Sequence, residues 1–486
     1  MACIDFSGNL ARGVLSCGPR IKTRGHAKHR KSQIAALLVS IAIMPAAPAA
    51  AQTLEAALVQ AYQSNPVLNA ERARQRGTDE NVSIALSGYR PQLAAGFSPS
   101  LIAVRDLFVD GSTASATMRG YTAQIALNQI IFNGFRTGNQ VRQAESQVQS
   151  GREALRGVEQ AILLDAVTAF ENVVASQALV EAQRVNVTFL RETLESTRKR
   201  LDAGDVTPTD VAQAEARLAR GSADLNAAEV NLAIARATYE QVIGATPGHL
   251  IPPPPIDRLL PGAPDQALAV ARRENPAVRG ATYDIDVAQY AIRVAEGALY
   301  PTITAQAYLL NTQNTDTQLS VAKSNQAGVI GNLNIPIYDG GVASAQVRQA
   351  KEALSQTRLI LDRVRRQTSA AVFAAWATHE GAKIAMAASE SEVRAGTIAL
   401  EGVRREAQAG QRTTLDVLNS QQDLISARAR LIGAQRDRVV ASYTLLSAIG
   451  RLDHRNLLLS VPNYDAQTHY QQVRDVWHGL RTPAGQ

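Results

Sequence analysis

The chain has 486 residues, a formal net charge of +7, two cysteines and an aromatic content of 5%. The excess positive charge lies in residues 1–51, because the remaining chain holds 43 Lys and Arg against 42 Asp and Glu. A nucleic-acid-binding protein therefore loses its main support. Cys3 and Cys17 fall in the same segment, so from residue 52 onward the sequence offers no disulfide, thiolate nucleophile or cysteine metal ligand.

Residues 1–51 have the three-part layout of a secretory signal peptide. A basic segment at 28–31 precedes an apolar run at 34–44, and the alanines at 49–51 provide a cleavage site before Gln52. The apolar run is too short to cross a bilayer permanently. We therefore expect an exported protein from which this segment is removed, rather than a buried N-terminal helix.

The sequence from residue 52 onward contains an internal duplication. Asn65-Pro66 returns 210 residues later as Asn275-Pro276, and other signatures return 206 residues later. These are Val141 to Ala144 with Val347 to Ala350, Gly204 with Gly410, Asp210 with Asp416, and Ile243-Gly244 with Ile449-Gly450. Because solenoid repeats have periods of ~20–50 residues, we interpret this as one doubled structural unit. The expected parts are a first repeat at 52–245, a Pro-rich linker at 246–262, a second repeat at 263–450 and a tail at 451–486.

Each repeat is predicted to contain a helix, a β-hairpin, a long helix, a turn and a returning helix. The hairpins are predicted at 91–132 and 301–338, the long helices at 137–201 and 343–408, and the returning helices at 208–245 and 414–449. Apolar residues in the long helices recur at alternating steps of three and four, as in Val141, Ala144 and Val148. This spacing is typical of left-handed coiled coils. In the tail we expect a short helix at 470–480, to which we assign no function.

Four segments in the predicted hairpins alternate apolar and polar residues with period two. In one of them, Ile303, Ala305 and Ala307 alternate with threonine and glutamine. Segments of about ten residues with this pattern are typical of transmembrane β-strands, although a half-buried soluble sheet has the same pattern. The polar residues near 110–112 and 311–326 are expected at extracellular loop tips.

Four strands are too few to close a barrel, and lipid does not tolerate open sheet edges. The missing strands must then come from other copies of the chain. Two copies would give eight strands around an interior filled by side chains, whereas three give twelve strands and room for a lumen. We therefore expect a homotrimer embedded in membrane lipid. The heptads alone also fit an exported trimeric coiled-coil scaffold or adhesin without a pore.

The sequence shows no constellation of catalytic residues. His379-Glu380 begins like a zinc-protease motif, but Lys383 stands at the position of the second histidine. A phosphate-binding loop of the G-x-x-x-x-G-K type is also missing from the sequence. We therefore expect no enzymatic activity, no metal site, no cofactor and no nucleic-acid partner.

Glycines and capping residues mark the two helix-to-helix turns. Gly204 and Gly410 are placed to end the long helices, and threonine and aspartate follow where the returning helices start. We do not expect capping alone to explain why Asp210 and Asp416 occupy equivalent positions in the two repeats. In a trimer, each would form a ring of three carboxylates at the narrow end of a tube, and such rings select cations.

Together with these turns, the segments Phe132-Asn133-Gly134 and Tyr338-Asp339-Gly340-Gly341 make the chain resemble the TolC family of outer-membrane channel-tunnels. The resemblance extends over nearly all of residues 53–450. It implies a mixed α and β membrane protein: a trimeric twelve-stranded transmembrane β-barrel, four strands per chain, continued by a long periplasmic α-helical coiled-coil barrel. It also implies passive small-molecule efflux or type I protein secretion through a Gram-negative outer membrane. The implied partners are a periplasmic adaptor protein and an inner-membrane ABC-type or proton-driven pump.

The same resemblance implies a gated periplasmic entrance. Arg412 is similar to the family's gate arginine, and Thr209 and Asp210 are similar to its partners on the neighbouring coil. Asp416 is similar to the first acidic ring of the constriction. Two departures from the family pattern are Asn419, at the position of a second acidic residue, and Ala407, at the position of a tyrosine. The constriction should therefore be less negative, and the closed state should depend more on the arginine. The residues expected to form the gate are Thr209, Asp210, Arg412, Asp416 and Asn419.

Overall fold

The computed structural model of the protein describes residues 52–314, 323–462, 464–483 and 485. The expected signal peptide and the middle of the second hairpin loop lie outside the described residues. The first repeat comprises α1 (Leu54–Ser64), α2 (Pro66–Leu86), β1 (Gln92–Leu107), β2 (Thr113–Asn133), α3 (Arg136–Asp202) and α4 (Pro208–Ile243). The second comprises α5 (Pro264–Glu274), α6 (Pro276–Glu296), β3 (Thr302–Asn314), β4 (Lys323–Asn334), α7 (Val342–Gln408) and α8 (Thr414–Ala448), and α9 (Ala466–Val473) follows.

The strands form one antiparallel sheet in the order β1-β2-β3-β4, so β1 and β4 are its edges. With 16 and 21 residues, β1 and β2 are longer than the ten residues that the alternation predicts. Ladder hydrogen bonds join backbone groups and do not require alternating side chains, so pairing continues beyond the alternating segments. The second hairpin, in contrast, ends at Asn334 rather than at 338, because Pro336 has no N–H to donate to a ladder.

The repeated Asn-Pro pair has the same structural role in both repeats. Asn65 Oδ1 accepts a hydrogen bond from the Val67 N–H at 2.9 Å and so caps α2, while Asn65 Nδ2 donates to the Val242 carbonyl at 2.9 Å. Asn275 caps α6 in the same way and donates to the Ala448 carbonyl at 3.0 Å. Each asparagine therefore joins the start of one helix to the end of the returning helix of its own repeat.

The long helices α3 and α7 have 67 residues each, which corresponds to about 100 Å. Their heptad seams are narrow and built from small residues. In α4 every seventh residue from Ala214 to Ala235 is buried, and one of these is Gly221. A Cβ at Gly221 would lie 2.7 Å from Leu190 Cδ1 on α3. A side chain at position 221 would therefore have to displace the Leu190 side chain in the seam between α3 and α4.

The largest apolar core lies midway along α3, where α1, α4, α5, α7 and α8 converge. We call this cluster the central core. Among the described residues, α3 is the helix long and apolar enough to cross a membrane by length and composition. Its segment from Leu163 to Val173 supplies five residues of the central core, including Phe170.

One carboxylic acid, Glu171, lies beside the central core. Its side chain is buried, and its Oε1 has no hydrogen-bond partner among the described residues. It lines a cavity of about 270 Å³ whose wall includes the four prolines at 252–255. Burial raises the pKa of Glu171 to about 7. Burial, and secondarily the charge of Glu171, raises the pKa of Tyr443 to about 12.

We predict that Glu171→Gln stabilises the protein above neutral pH. The folded-state pKa of Glu171 lies above its ordinary value of 4.5, so its stabilising contribution is complete below that value and is lost as pH rises through about 7. The substitution should therefore raise the free energy of unfolding by up to about 3 kcal/mol per chain near pH 8, and change it little near pH 4. Chemical denaturation at both pH values measures the difference.

A second buried glutamate on α3 provides the matched control. Glu153 pairs with Arg156 at 2.7 Å and Arg279 at 3.1 Å, so Glu153→Gln should lower stability at both pH values. An equal effect of Glu171→Gln at both pH values would contradict the assignment of an unpaired acid.

Candidate gate at the helical tip

The two helix-to-helix turns have the same backbone geometry. Gly204 and Gly410 adopt left-handed conformations with φ of 81° and 76°. The following amides, of Asp205 and Gln411, donate back into the last turns of α3 and α7 at 2.8 and 2.9 Å. This is the glycine stop that the sequence predicts, because a side chain is disfavoured at positive φ. Each stop sends the chain back along its own hairpin, α3–α4 or α7–α8.

Capping boxes start both returning helices. Asp210 Oδ2 accepts from the Thr207 N–H at 2.9 Å, and Thr207 Oγ1 accepts from the Asp210 N–H at 3.3 Å. Thr413 and Asp416 repeat this exchange at 3.0 and 3.2 Å. Contrary to our expectation, the matched positions of the two aspartates thus have a local cause: each is the third residue of its helix, where its carboxylate completes a capping box.

The same hydrogen bonds keep both aspartates charged. The backbone N–H of Thr207 lowers the pKa of Asp210, and that of Thr413 lowers the pKa of Asp416. Both carboxylates are therefore ionised at neutral pH and present fixed negative charge at the tip. Capping and an acidic ring are compatible, since a capping carboxylate has acceptor positions left over.

Arg412 is paired within its own turn. Its Nε donates to Glu406 Oε2 at 2.9 Å, across the stop at Gly410. Within the described residues, no hydrogen bond or ion pair joins Arg412 to Thr209 or Asp210. The contact between these residues thus remains a prediction for the assembled entrance.

Three residues near the start of α8 join the two hairpins. Arg217 Nη2 on α4 donates to Asn419 Oδ1 at 2.8 Å. Gln421 Nε2 donates to the buried Asn186 Oδ1 on α3, also at 2.8 Å. Leu418 packs in a small apolar cluster with leucines of α3. Sequence reasoning missed these contacts.

Asn419 has a structural role of its own. It accepts a hydrogen bond from Arg217 of α4 and so links the two hairpins, and it does so without the negative charge that a carboxylate would add at this position. The heptad spacing could have indicated that Arg217 faces the tip residues, because Arg217 lies seven residues after Asp210 and therefore on the same face of α4.

A groove of about 740 Å³ separates the ends of α3 and α7. Its wall includes Phe189 and Arg200 of α3, and Arg404 and Ala407 of α7. The Arg404 guanidinium stands 6.0 Å from the centre of the Phe189 ring. Because position 407 carries only a methyl group, the groove stays open on the α7 side.

The strand-to-helix junctions predicted from the sequence are tight turns at positive φ. Gly134 has φ of 65°, and a Cβ there would lie 2.2 Å from the Gly297 carbonyl oxygen. The next residue, Phe135, has φ of 62° although it is not glycine. Its ring packs edge-on against the ring of Phe132, with 5.1 Å between the ring centres. This aromatic contact holds a conformation that the second repeat adopts with glycine.

The second junction is built with different residues. Gly340 and Gly341 have φ of 72° and 87°, and the exposed Tyr338 precedes them. Asp339 Oδ2 accepts from the Ala343 N–H at 2.7 Å and so caps α7. Both junctions shape the chain between strand and helix. Neither contains titratable groups arranged for catalysis, and the described residues contain no cluster of three or more potential metal ligands.

Comparison with known proteins places this geometry in a family. A family described as outer membrane efflux protein matches residues 57–245 and 267–451. The chain is 42% identical over 455 residues to the outer membrane efflux protein BepC of Brucella suis biovar 1 (strain 1330), covering 93% of this chain and 97% of BepC. It is 24% identical over 439 residues to the outer membrane protein TolC of Escherichia coli (strain K12), covering 82% and 83%.

Solved structures have the same fold at low sequence identity. The Campylobacter jejuni CmeC outer membrane channel superposes with a TM-score of 0.73 at 14% identity, over 87% of this chain and 89% of CmeC. The resemblance to the TolC family is thus confirmed, together with the outer-membrane location. The adhesin alternative finds no support among these relatives, and the family is one of channels rather than enzymes. The chain belongs to the outer membrane efflux protein family.

Proposed function

We propose that three copies of this chain form one outer-membrane channel with a twelve-stranded β-barrel. The observation that supports it is the four-stranded sheet with β1 and β4 at its edges, in a chain whose family resides in the outer membrane. Lipid provides no partners for the N–H and C=O groups of an edge strand. Pairing β1 of one copy with β4 of the next satisfies both edges.

The long helices then continue the channel into the periplasm, and the turns at 203–207 and 409–413 form its far end. A periplasmic adaptor is the proposed partner there, and the groove between α3 and α7 offers a cleft for it. An inner-membrane ABC-type or proton-driven pump is the proposed source of energy.

The proposed channel serves small-molecule efflux, type I protein secretion or both. Efflux is supported by the similarity to BepC, which is named an efflux protein and matches over almost its whole length. Secretion is supported by more distant relatives that are named protease secretion proteins. The channel itself is a passive conduit in this proposal, so the choice of cargo lies with the pump.

The assembly can be tested with cysteine pairs at the sheet edges. From residue 52 onward the sequence contains no cysteine, so Ser98→Cys on β1 combined with cysteines placed in turn along β4 reports only introduced contacts. We expect oxidation to give crosslinked dimers and trimers and nothing larger, because a ring of three closes.

An interior pair serves as the control for this experiment. Gln124 of β2 and Leu310 of β3 face each other within one chain, so cysteines there should crosslink without forming oligomers. Monomers at every β4 position, in protein that is folded in detergent, would rule out the trimer.

We predict that Arg412→Ser raises single-channel conductance in planar bilayers. The substitution removes the guanidinium that now holds Glu406, and with it the cation expected to pair with Thr209 and Asp210 in the closed entrance. Glu406→Gln separates the two roles, because it breaks only the pairing within the turn.

Arg405→Ser is the matched control for Arg412→Ser. Arg405 pairs with Glu401 on exposed α7 at 3.7 Å, outside the turn, and its loss should leave conductance unchanged. If Arg412→Ser behaves like Arg405→Ser, the arginine belongs to the turn and not to the gate.

We also predict that Asp416→Ala weakens block of the channel by multivalent cations added on the periplasmic side. Its pKa is lowered by the Thr413 amide, so the carboxylates stay charged at neutral pH and bind cations together in a trimer. The change is measured in planar bilayers as an increase in the dissociation constant of the blocking cation.

Two controls separate charge from capping in this test. Thr413→Ala damages the same capping box but keeps the carboxylate, and should retain the block. Glu401→Ala removes an acid from α7 outside the turn. Equal block in Asp416→Ala and the parent protein would place the cation site elsewhere.

A further inference from the structure

The C-terminal tail runs along α2 between Tyr464 and Val476. Tyr464 Oη donates to the Arg72 carbonyl at 3.4 Å, and His469 Nδ1 lies 3.1 Å from Asp79 Oδ2. Because the residue numbers rise together on both segments, the tail runs in the same direction as α2, toward the strands. The helix α9 starts at Ala466, earlier than the predicted 470, because Asp465 caps it by accepting from the Gln467 N–H.

Past α9 the tail is fastened at the end of α2. The Val476 carbonyl accepts from Ser83 Oγ at 3.3 Å and from Arg90 Nη1 at 2.6 Å. The Arg90 guanidinium also stands 5.1 Å from the centre of the Trp477 ring. Arg90 lies two residues before β1 begins, so Trp477 is held at the junction between helix and sheet.

The fastened segment presents apolar surface outward. Trp477 is 67% exposed despite its contact with Arg90, and Leu480 is fully exposed at 101%. The contact with Arg90 accounts for the position of the Trp477 ring, but it does not account for the exposure of Leu480. Leu93, 72% exposed, is the first apolar residue of β1, and at 3.3 Å per residue it lies about 10 Å beyond Arg90.

Other exposed aromatic residues mark the same level. Tyr89 precedes β1, Tyr300 precedes β3, and Tyr338 follows β4, all within a few residues of a strand end. Tyrosine and tryptophan collect at the headgroup level of membranes, where an apolar ring meets lipid and its polar atom meets water. Trp477 extends this row although it is not part of the sheet.

We propose that residues 476–480 are a membrane anchor, with Trp477 and Leu480 inserted at the headgroup boundary of the periplasmic leaflet of the outer membrane. The ligand is a phospholipid surface. Arg474 pairs with Glu145 at 3.6 Å and is followed by Asp475, so the basic side chain that suits anionic headgroups is the exposed Arg481. This inference rests on the proposed channel, because that proposal places the strands in lipid. The tail then ties α2 to the bilayer from outside the barrel.

The chain has two tryptophans, which allows a direct test. Trp376→Phe leaves Trp477 as the only tryptophan, whose emission is excited selectively over that of the tyrosines, and the full-length protein is reconstituted into phosphatidylcholine and phosphatidylglycerol vesicles. We expect lipids brominated near the headgroup end of the acyl chain to remove most of the emission, and aqueous iodide to remove little. Trp477→Phe is the control: Trp376 packs against the central core, so bromolipids should leave its emission unchanged.

Quenching of Trp477 by iodide alone would place it in water, and quenching by neither agent would place it against protein, such as a second copy. Either result overturns the anchor. Ion conductance measured on the same vesicles separates the two proposals. If the vesicles conduct ions but brominated lipid does not quench Trp477, only the anchor is contradicted. If the protein neither conducts ions nor inserts into the vesicles, the channel is contradicted.

A second measurement avoids any change of tryptophan. Leu480→Cys, labelled with an environment-sensitive dye, should show blue-shifted emission in vesicles. The same label at Ser222→Cys on exposed α4 should show the emission of a dye in water, and equal spectra at both positions would again contradict the anchor.

Discussion

Unpaired backbone groups along β1 and β4 are the constraint on which the rest of the structure depends. A sheet of four strands has two edges, and a strand edge in hydrocarbon has no water with which to hydrogen-bond. In water, a helix or a charged side chain can cover such an edge. In lipid, the remaining solution is pairing with another chain, and the ring must close. In the proposed channel, oligomerisation is therefore a condition for the sheet to exist in the membrane, and the long helices would follow the symmetry of the ring.

The duplication shows how one chain meets this constraint twice. Asn65 and Asn275 fasten each Asn-Pro helix start to the end of its own returning helix, at Val242 and Ala448. These contacts fix the register of each hairpin at the level of the central core, far from the strands. The repeats differ where local chemistry differs: Phe135 occupies a left-handed position held by aromatic contacts, whereas Gly341 adopts it without a side chain.

The sequence predicts features that depend on local or periodic chemistry. Gly204 and Gly410 end helices, and Ala214 and Gly221 lie in a buried seam, because cap and heptad rules involve neighbours in the chain. It does not predict the burial of Glu171, since that depends on helices and prolines brought together from distant parts of the chain. For the same reason the course of the tail along α2 was unpredictable. The lengths of the strands were also not predicted, because the alternation of apolar and polar residues weakens where both faces of a strand meet water.

The tip combines strong local structure with fewer connections between hairpins. The capping boxes and the Arg412–Glu406 pair each lie within one turn, so they keep the turn intact without fixing its position relative to the other hairpin. The connections between hairpins at the tip come from the first two turns of α8, namely Leu418 in its apolar cluster, Asn419 with Arg217, and Gln421 with Asn186. A movement that separates the tips must break these contacts, whereas it can leave the caps unchanged. In the proposed gate, opening would therefore be a rigid displacement of the α7–α8 turn about the start of α8, and it would not require any helix to unwind.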